Sequence, residues 1–94
     1  MSSASIAHER RVQIVNKLGL HARPAAEFVK RASQFIADVW VKKEDMEVNG
    51  KSIMGMMMLA AECGSEIVIR ATGDDAAAAV TDLVSLIESR FGED

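Results

Sequence analysis

Residues 10–15, RRVQIV, alternate in polarity and set Val12 and Ile14 on one side, the pattern of a half-buried strand. Over residues 22–36 the period lengthens, and Ala25, Phe28, Val29, Ala32, Phe35 and Ile36 fall at helical spacing. Alternation returns in ADVWVK, residues 37–42, with Val39 and Val41 inward and Trp40 outward. KKED then reads as a turn into a short strand at residues 46–48. Residues 52–60, SIMGMMMLA, open on a serine cap and predict a short helix, with Ile53, Met56 and Leu59 as its core positions. EIVIRA, residues 66–71, puts Ile67 and Ile69 on one face. A last helical stripe runs through Ala77, Val80, Val84, Ile87 and Phe91, with Asp74 and Asp75 suited to its positive N-terminal end.

The order is β-α-β-β-α-β-α. Four short strands with one apolar face each suit an antiparallel sheet covered on one face by three helices, an open-faced α/β sandwich. No repeat or linker interrupts it, so residues 1–94 form one domain, with residues 1–8 expected as a flexible N-terminal extension.

Composition narrows the class. The chain is 49% apolar, but much of that is alanine, with three Phe and one Trp, so a modest core with small-residue helix packing is expected. A net charge of −3 argues against a nucleic-acid binder. Cys63 stands alone, which allows no internal disulfide and suggests a reducing, cytoplasmic setting. No apolar run approaches the about 18 residues of a membrane span, and MSSASIAHERR lacks the apolar core of a signal peptide. His8 has no ligand-spaced partner, so neither a metal site with His21 nor any cofactor is expected, and Cys63 is given no chemical role.

The chemistry gathers in NKLGLHARPAA, residues 16–26. Gly19 suits a tight strand-to-helix turn, and His21 falls at or beside the cap of the first helix. Pro24 is tolerated in a first turn, where its missing N–H has no intrahelical partner to lose. A helix start presents unpaired N–H groups and partial positive charge, an anion site to which Arg23 adds a fixed guanidinium fork. The same field opposes a further positive charge on the ring and favours the neutral, nucleophilic imidazole. A nucleophile beside an anion cradle is what phosphoryl transfer through a phosphohistidine needs. Each residue also has a plainer reading: His21 as a solvated cap, Arg23 as a surface charge. An acyl-phosphate hydrolase would need a group to place a water, and Asn16 and Asn49 are the candidates.

Gly19-Leu20-His21-Ala22-Arg23-Pro24-Ala25 closely resembles the signature of the HPr family, the phosphocarriers of the bacterial phosphotransferase system. Lys51-Ser52-Ile53-Met54-Gly55 follows at the expected distance and resembles the family's regulatory serine region. The resemblance spans residues 8–91 and implies a stoichiometric carrier rather than an enzyme. His21 would accept phosphate on Nδ1 from phosphorylated enzyme I and pass it to an enzyme IIA component, with Arg23 steadying it. Ser52, a good N-cap by pattern, would also be a regulatory phosphorylation site, read by an HPr kinase/phosphorylase. Asn16-Lys17-Leu18-Gly19 and the ending Phe91-Gly92-Glu93-Asp94 resemble the nitrogen-related branch, NPr. The regulatory relative Crh lacks the histidine, so His21 argues against that role. The face for these protein partners is expected at Leu20, Lys30, Lys51, Ile53, Met54 and Met57, on a monomer. Methionine adapts to several partner shapes, which suits a carrier with two docking proteins.

Overall fold

Residues 66–72 alternate strictly, with Ile67, Ile69 and Ala71 fully buried and Val68 and Arg70 half-buried on the opposite side. That alternation marks a strand in a sheet with one wet face. The computed structural model describes residues 7–93. Its elements are β1 (Ala7–Gln13), α1 (Ala22–Ala32), β2 (Asp38–Lys43), β3 (Met46–Asn49), α2 (Ile53–Met58), β4 (Glu66–Thr72) and α3 (Ala76–Glu88), followed by a 3-10 turn at Arg90–Gly92. The strands form one antiparallel sheet in the order β1-β4-β2-β3. The three helices lie on its apolar side, as the pattern predicts. Of the expected N-terminal extension, residues 1–6 lie outside the described residues, and Ala7 and His8 pair with Thr72 and Ala71 as the first rungs of β1.

The core is Val12, Ile14, Val39, Val41, Ile67 and Ile69 from the sheet side, closed by Phe28, Met56, Leu83 and Ile87 from the helices. α1 turns Pro24, Ala25, Phe28 and Ala32 inward and joins α3 through an Arg31–Asp82 ion pair of 2.9 Å.

Several local expectations fail. α1 stops at Ala32 rather than Ile36, because tighter bonds from Gln34 to Arg31 and from Phe35 to Ala32 close its last turn. The backbone N–H groups of Ile36 and Ala37 are then taken by the Asp75 carboxylate, both at 2.8 Å, which leaves the Ile36 side chain 86% exposed. Asp75 therefore sits at the N-cap position of α3 without capping it. Those backbone donors, Ile36 first, hold its carboxyl below the usual 3.8. On α3 the buried stripe is Ala76, Ala79, Val80, Leu83, Val84 and Ile87, so Ala77 faces outward. In an all-alanine first turn, apolarity cannot set the phase. Phe91 is buried as expected but lies in the 3-10 turn rather than on the helix.

On α2, Met56 and Leu59 are buried, whereas Ile53 is 46% exposed. Ser52 sets the phase: its Oγ accepts from Gly55 N at 3.0 Å, so the inward stripe runs 52–55–56–59 and Ile53 falls a quarter turn off it. Gly55 costs roughly 1 kcal/mol against alanine in a helix. A Cβ there would stand 3.2 Å from Val48 Cβ, so its absence lets α2 lie close on β3.

Candidate functional site

The site is built at the handover from β1 to α1. Gly19 has φ +68°, and a Cβ on it would meet the Ala61 carbonyl oxygen at 2.5 Å and Glu62 Cα at 2.9 Å, both backbone. Leu20 N donates to that Ala61 carbonyl at 2.9 Å, and the Leu20 side chain is 5% exposed. Leu20 is therefore a core plug beneath the turn and is not available to a partner, contrary to expectation. The leucine on the other side of the glycine, Leu18, is 71% exposed instead. A left-handed glycine between two leucines decides which one is buried, and residue type alone does not.

His21 follows in extended conformation (φ −74°, ψ −174°) as the N-cap of α1, with no capping bond from its side chain. Its carbonyl accepts from Ala25 N at 3.0 Å, the first bond of the helix. Ala22 and Arg23 have first-turn N–H groups, and Pro24 fills the next position, buried and with no N–H to satisfy. The imidazole and the guanidinium, 38% and 73% exposed, share this positive helix end.

A carboxylate that the sequence pattern did not place completes the cluster. Glu93 Oε2 lies 3.2 Å from His21 Nε2 and accepts from Arg23 Nη1 at 3.3 Å. Glu93 Oε1 accepts from Asn16 Nδ2 at 3.1 Å. Asn16 is fully buried, and the same Nδ2 also donates to the Gly19 carbonyl at 2.8 Å. Asn16 Oδ1 has no hydrogen-bond partner among the described residues. The amide orientation is nonetheless decided, because turning it over would set Oδ1 against two acceptors. Asn16 thus braces the turn rather than placing a water. Asn49 is likewise engaged, its Oδ1 accepting from Lys51 N at 2.8 Å.

Glu93 arrives through a strained hook. Arg90, Phe91 and Gly92 have φ of 62°, 55° and 73°, three successive left-handed residues of which only one is glycine. Phe91, 7% exposed, anchors the hook in the core. A buried phenylalanine followed by a glycine and an acid just past the last helical stripe was the available signal.

The second expected region lies on α2, which packs against α1. Ser52 caps it, and Lys43 Nζ reaches the carbonyls of Leu59 and Ala60 at its other end, at 3.3 and 3.4 Å. Its outer surface is apolar: Ile53, Met54, Met57 and Met58 are all exposed, Met54 at 73%. Lys30 is exposed in the last turn of α1. Lys51 is half-buried and turned back on the fold, its Nζ donating to the Phe35 carbonyl at 2.8 Å. Cys63 is exposed in the turn before β4, and no helix among the described residues is long and apolar enough to cross a membrane.

Comparison with known proteins finds relatives over most of the chain. A family model described as the PTS HPr component phosphorylation site matches residues 8–89. The phosphocarrier protein HPr of Neisseria meningitidis serogroup A is 54% identical over 82 residues, 87% of this chain and 92% of its own. The crystal structure of an HPr from Thermoanaerobacter tengcongensis superimposes with a TM-score of 0.89 at 50% identity, covering 93% of this chain and 98% of the other. Crh of Bacillus subtilis, solved as a swapped dimer, is 41% identical with a TM-score of 0.72, covering 86% and 93%.

Proposed function

This chain belongs to the HPr family of phosphocarriers, and from that premise we propose that it carries its phosphoryl group on His21. Phosphorylated enzyme I is the donor and an enzyme IIA component the acceptor. The ring nitrogen attacks phosphorus as the bond to the donor's leaving atom breaks, and transfer to the acceptor reverses the roles. The chain is consumed and regenerated once per transfer, a stoichiometric carrier rather than an enzyme, working as a cytoplasmic monomer. One observation carries this reading: His21 and Arg23 open the same helix, where free N–H groups, a guanidinium and an accessible imidazole meet.

Incubation with enzyme I and phosphoenolpyruvate, followed by mapping of the label, tests the proposal. A phosphate on imidazole nitrogen is lost in mild acid and survives base, and His21→Ala abolishes it. Acid-labile label persisting on that variant would sink the assignment.

Ser52 is proposed as a regulatory site for a serine kinase of the HPr kinase/phosphorylase class. The cap bond does not oppose this, since a phosphate at Ser52 sits on the positive end of α2. A second reading, a regulatory module acting through phospho-Ser52 alone, draws on the Crh relative. Under it, His21→Ala is silent in every assay.

A further inference from the structure

We propose that Glu93 is a positioning residue for the phosphoryl transfer: it fixes the proton of His21 on Nε2 and so leaves Nδ1 as the nucleophilic atom. The inference rests on the carrier reading for its consequence, but not for its geometry. Neutral imidazole carries one N–H and one lone pair, and the partner of one nitrogen decides which is which. Glu93 Oε2, a carboxylate oxygen and acceptor only, stands 3.2 Å from Nε2. A lone pair on Nε2 would face that oxygen repulsively, so the proton resides there. Among the described residues no hydrogen bond engages Nδ1. The lone pair is therefore on Nδ1, the nitrogen left free to attack phosphorus.

Two further observations show that the carboxylate is held for this purpose. Its other oxygen is fixed by Asn16 Nδ2 at 3.1 Å, a fully buried donor already committed to the Gly19 carbonyl. The segment that carries it spends two left-handed non-glycine residues, Arg90 and Phe91, to bring it back onto the start of α1. Such strain costs on the order of 1 kcal/mol or more per residue and persists only where the surroundings enforce it.

Glu93→Gln makes a sharp test because it keeps the shape and inverts the hydrogen bonding. A glutamine has one acceptor oxygen and one donor amide. Asn16 is a buried, fixed donor, whereas Arg23 is exposed and can swing its guanidinium into water, so the glutamine oxygen turns to Asn16 and the NH2 group faces His21 Nε2. The ring must then accept at Nε2 and carry its proton on Nδ1. Long-range proton–nitrogen correlation spectra of the full chain, with labelled histidine and at a pH where the ring is neutral, read this directly. Expected are a protonated Nε2 in the wild type, a majority shift to protonated Nδ1 in Glu93→Gln, and a solution-like mixture in Glu93→Ala. Phosphorylation of His21 should slow less than about twofold in Glu93→Ala, whose mixture still holds the attacking tautomer, and about tenfold in Glu93→Gln, where that tautomer is the minority. An unprotonated Nε2 in the wild type, or an unchanged tautomer in Glu93→Gln, overturns the proposal, even if the variants transfer slowly. Failure of the carrier reading has a different signature, wild-type protein that takes no label on His21.

Discussion

Lys51 Nζ lies 2.8 Å from the carbonyl oxygen of Phe35, so a lysine placed by sequence on the docking rim instead ties the approach to α2 to the end of α1. It satisfies a carbonyl that α1 leaves free when it stops at Ala32, beside the Asp75 carboxylate whose charge it complements. Lys51→Ala is therefore expected to lower stability by roughly 1 kcal/mol, measured by urea unfolding. Lys30→Ala, at an exposed position, should leave stability unchanged and slow encounter with enzyme I in a salt-dependent way. If Lys51→Ala alters only the salt-dependent encounter, its tie to Phe35 is of no consequence in solution.

Asp75 gives the fold an acid limit. Its carboxyl is held below 3.8 by the N–H groups of Ile36 and, against some desolvation, Ala37. A carboxyl depressed in the folded state binds its proton more readily in the unfolded chain, so its contribution is complete above the unfolded value. That contribution is lost as pH falls from about 3.8 through the folded value. Asp75→Asn should then be less stable than wild type at neutral pH and converge with it in acid. Parallel stability curves down to the acid limit would contradict the assignment.

Ser52 carries two separable effects. Ser52→Ala removes the bond to Gly55 N and should cost about 1 kcal/mol of stability while leaving phosphorylation of His21 near normal. Ser52→Asp keeps a capping oxygen but adds a negative charge, as phosphoserine adds about −1.5 to −2. It should slow phosphorylation by enzyme I at low salt, with the difference shrinking as salt rises. Equal rates for the two variants at low salt would remove the electrostatic argument.

Local periodicity was enough to order the seven elements, because each strand and helix has one dry face that the sequence marks with a period of two or about three and a half. The sequence also placed His21 and Arg23 at the start of α1, which Gly19 and Pro24 announce, and Ser52 at the cap of α2. It failed where a distant group decides. Asp75, distant in sequence, takes the N–H groups of Ile36 and Ala37 beyond the end of α1, and the left-handed turn at Gly19 exchanges the fates of Leu18 and Leu20. Glu93 was harder to read: Phe91 and Gly92 hint at an anchored, bent ending, but three successive positive φ angles, which no hydrophobic pattern encodes, carry it 72 positions back to His21.

The outer surface of α2 separates docking from packing most cleanly, because neighbouring methionines have opposite surroundings. Met56 is fully buried, whereas Met54 and Met57 are 73% and 44% exposed on a helix that packs beside α1. An apolar surface left open on a helix that packs against α1, the helix His21 caps, suits a carrier that meets donor and acceptor in turn, and thioether side chains adapt to both. Met56→Ala should cost about 2–5 kcal/mol of stability, as a deleted core side chain does. Met54→Ala and Met57→Ala should leave the unfolding midpoint nearly unchanged, yet each should weaken transfer from enzyme I and to enzyme IIA alike. A loss of about 1–2 kcal/mol in apparent binding, roughly five- to thirty-fold, is the scale for truncating an apolar anchor. Because Ile53 is exposed on the same helix, Ile53→Ala should behave like the methionine pair and not like Met56. Measuring both transfer steps matters: a variant impaired with only one partner would mean that donor and acceptor use different parts of α2. Variants of all three exposed residues that transfer at the wild-type rate in both directions would move the docking surface off α2 altogether.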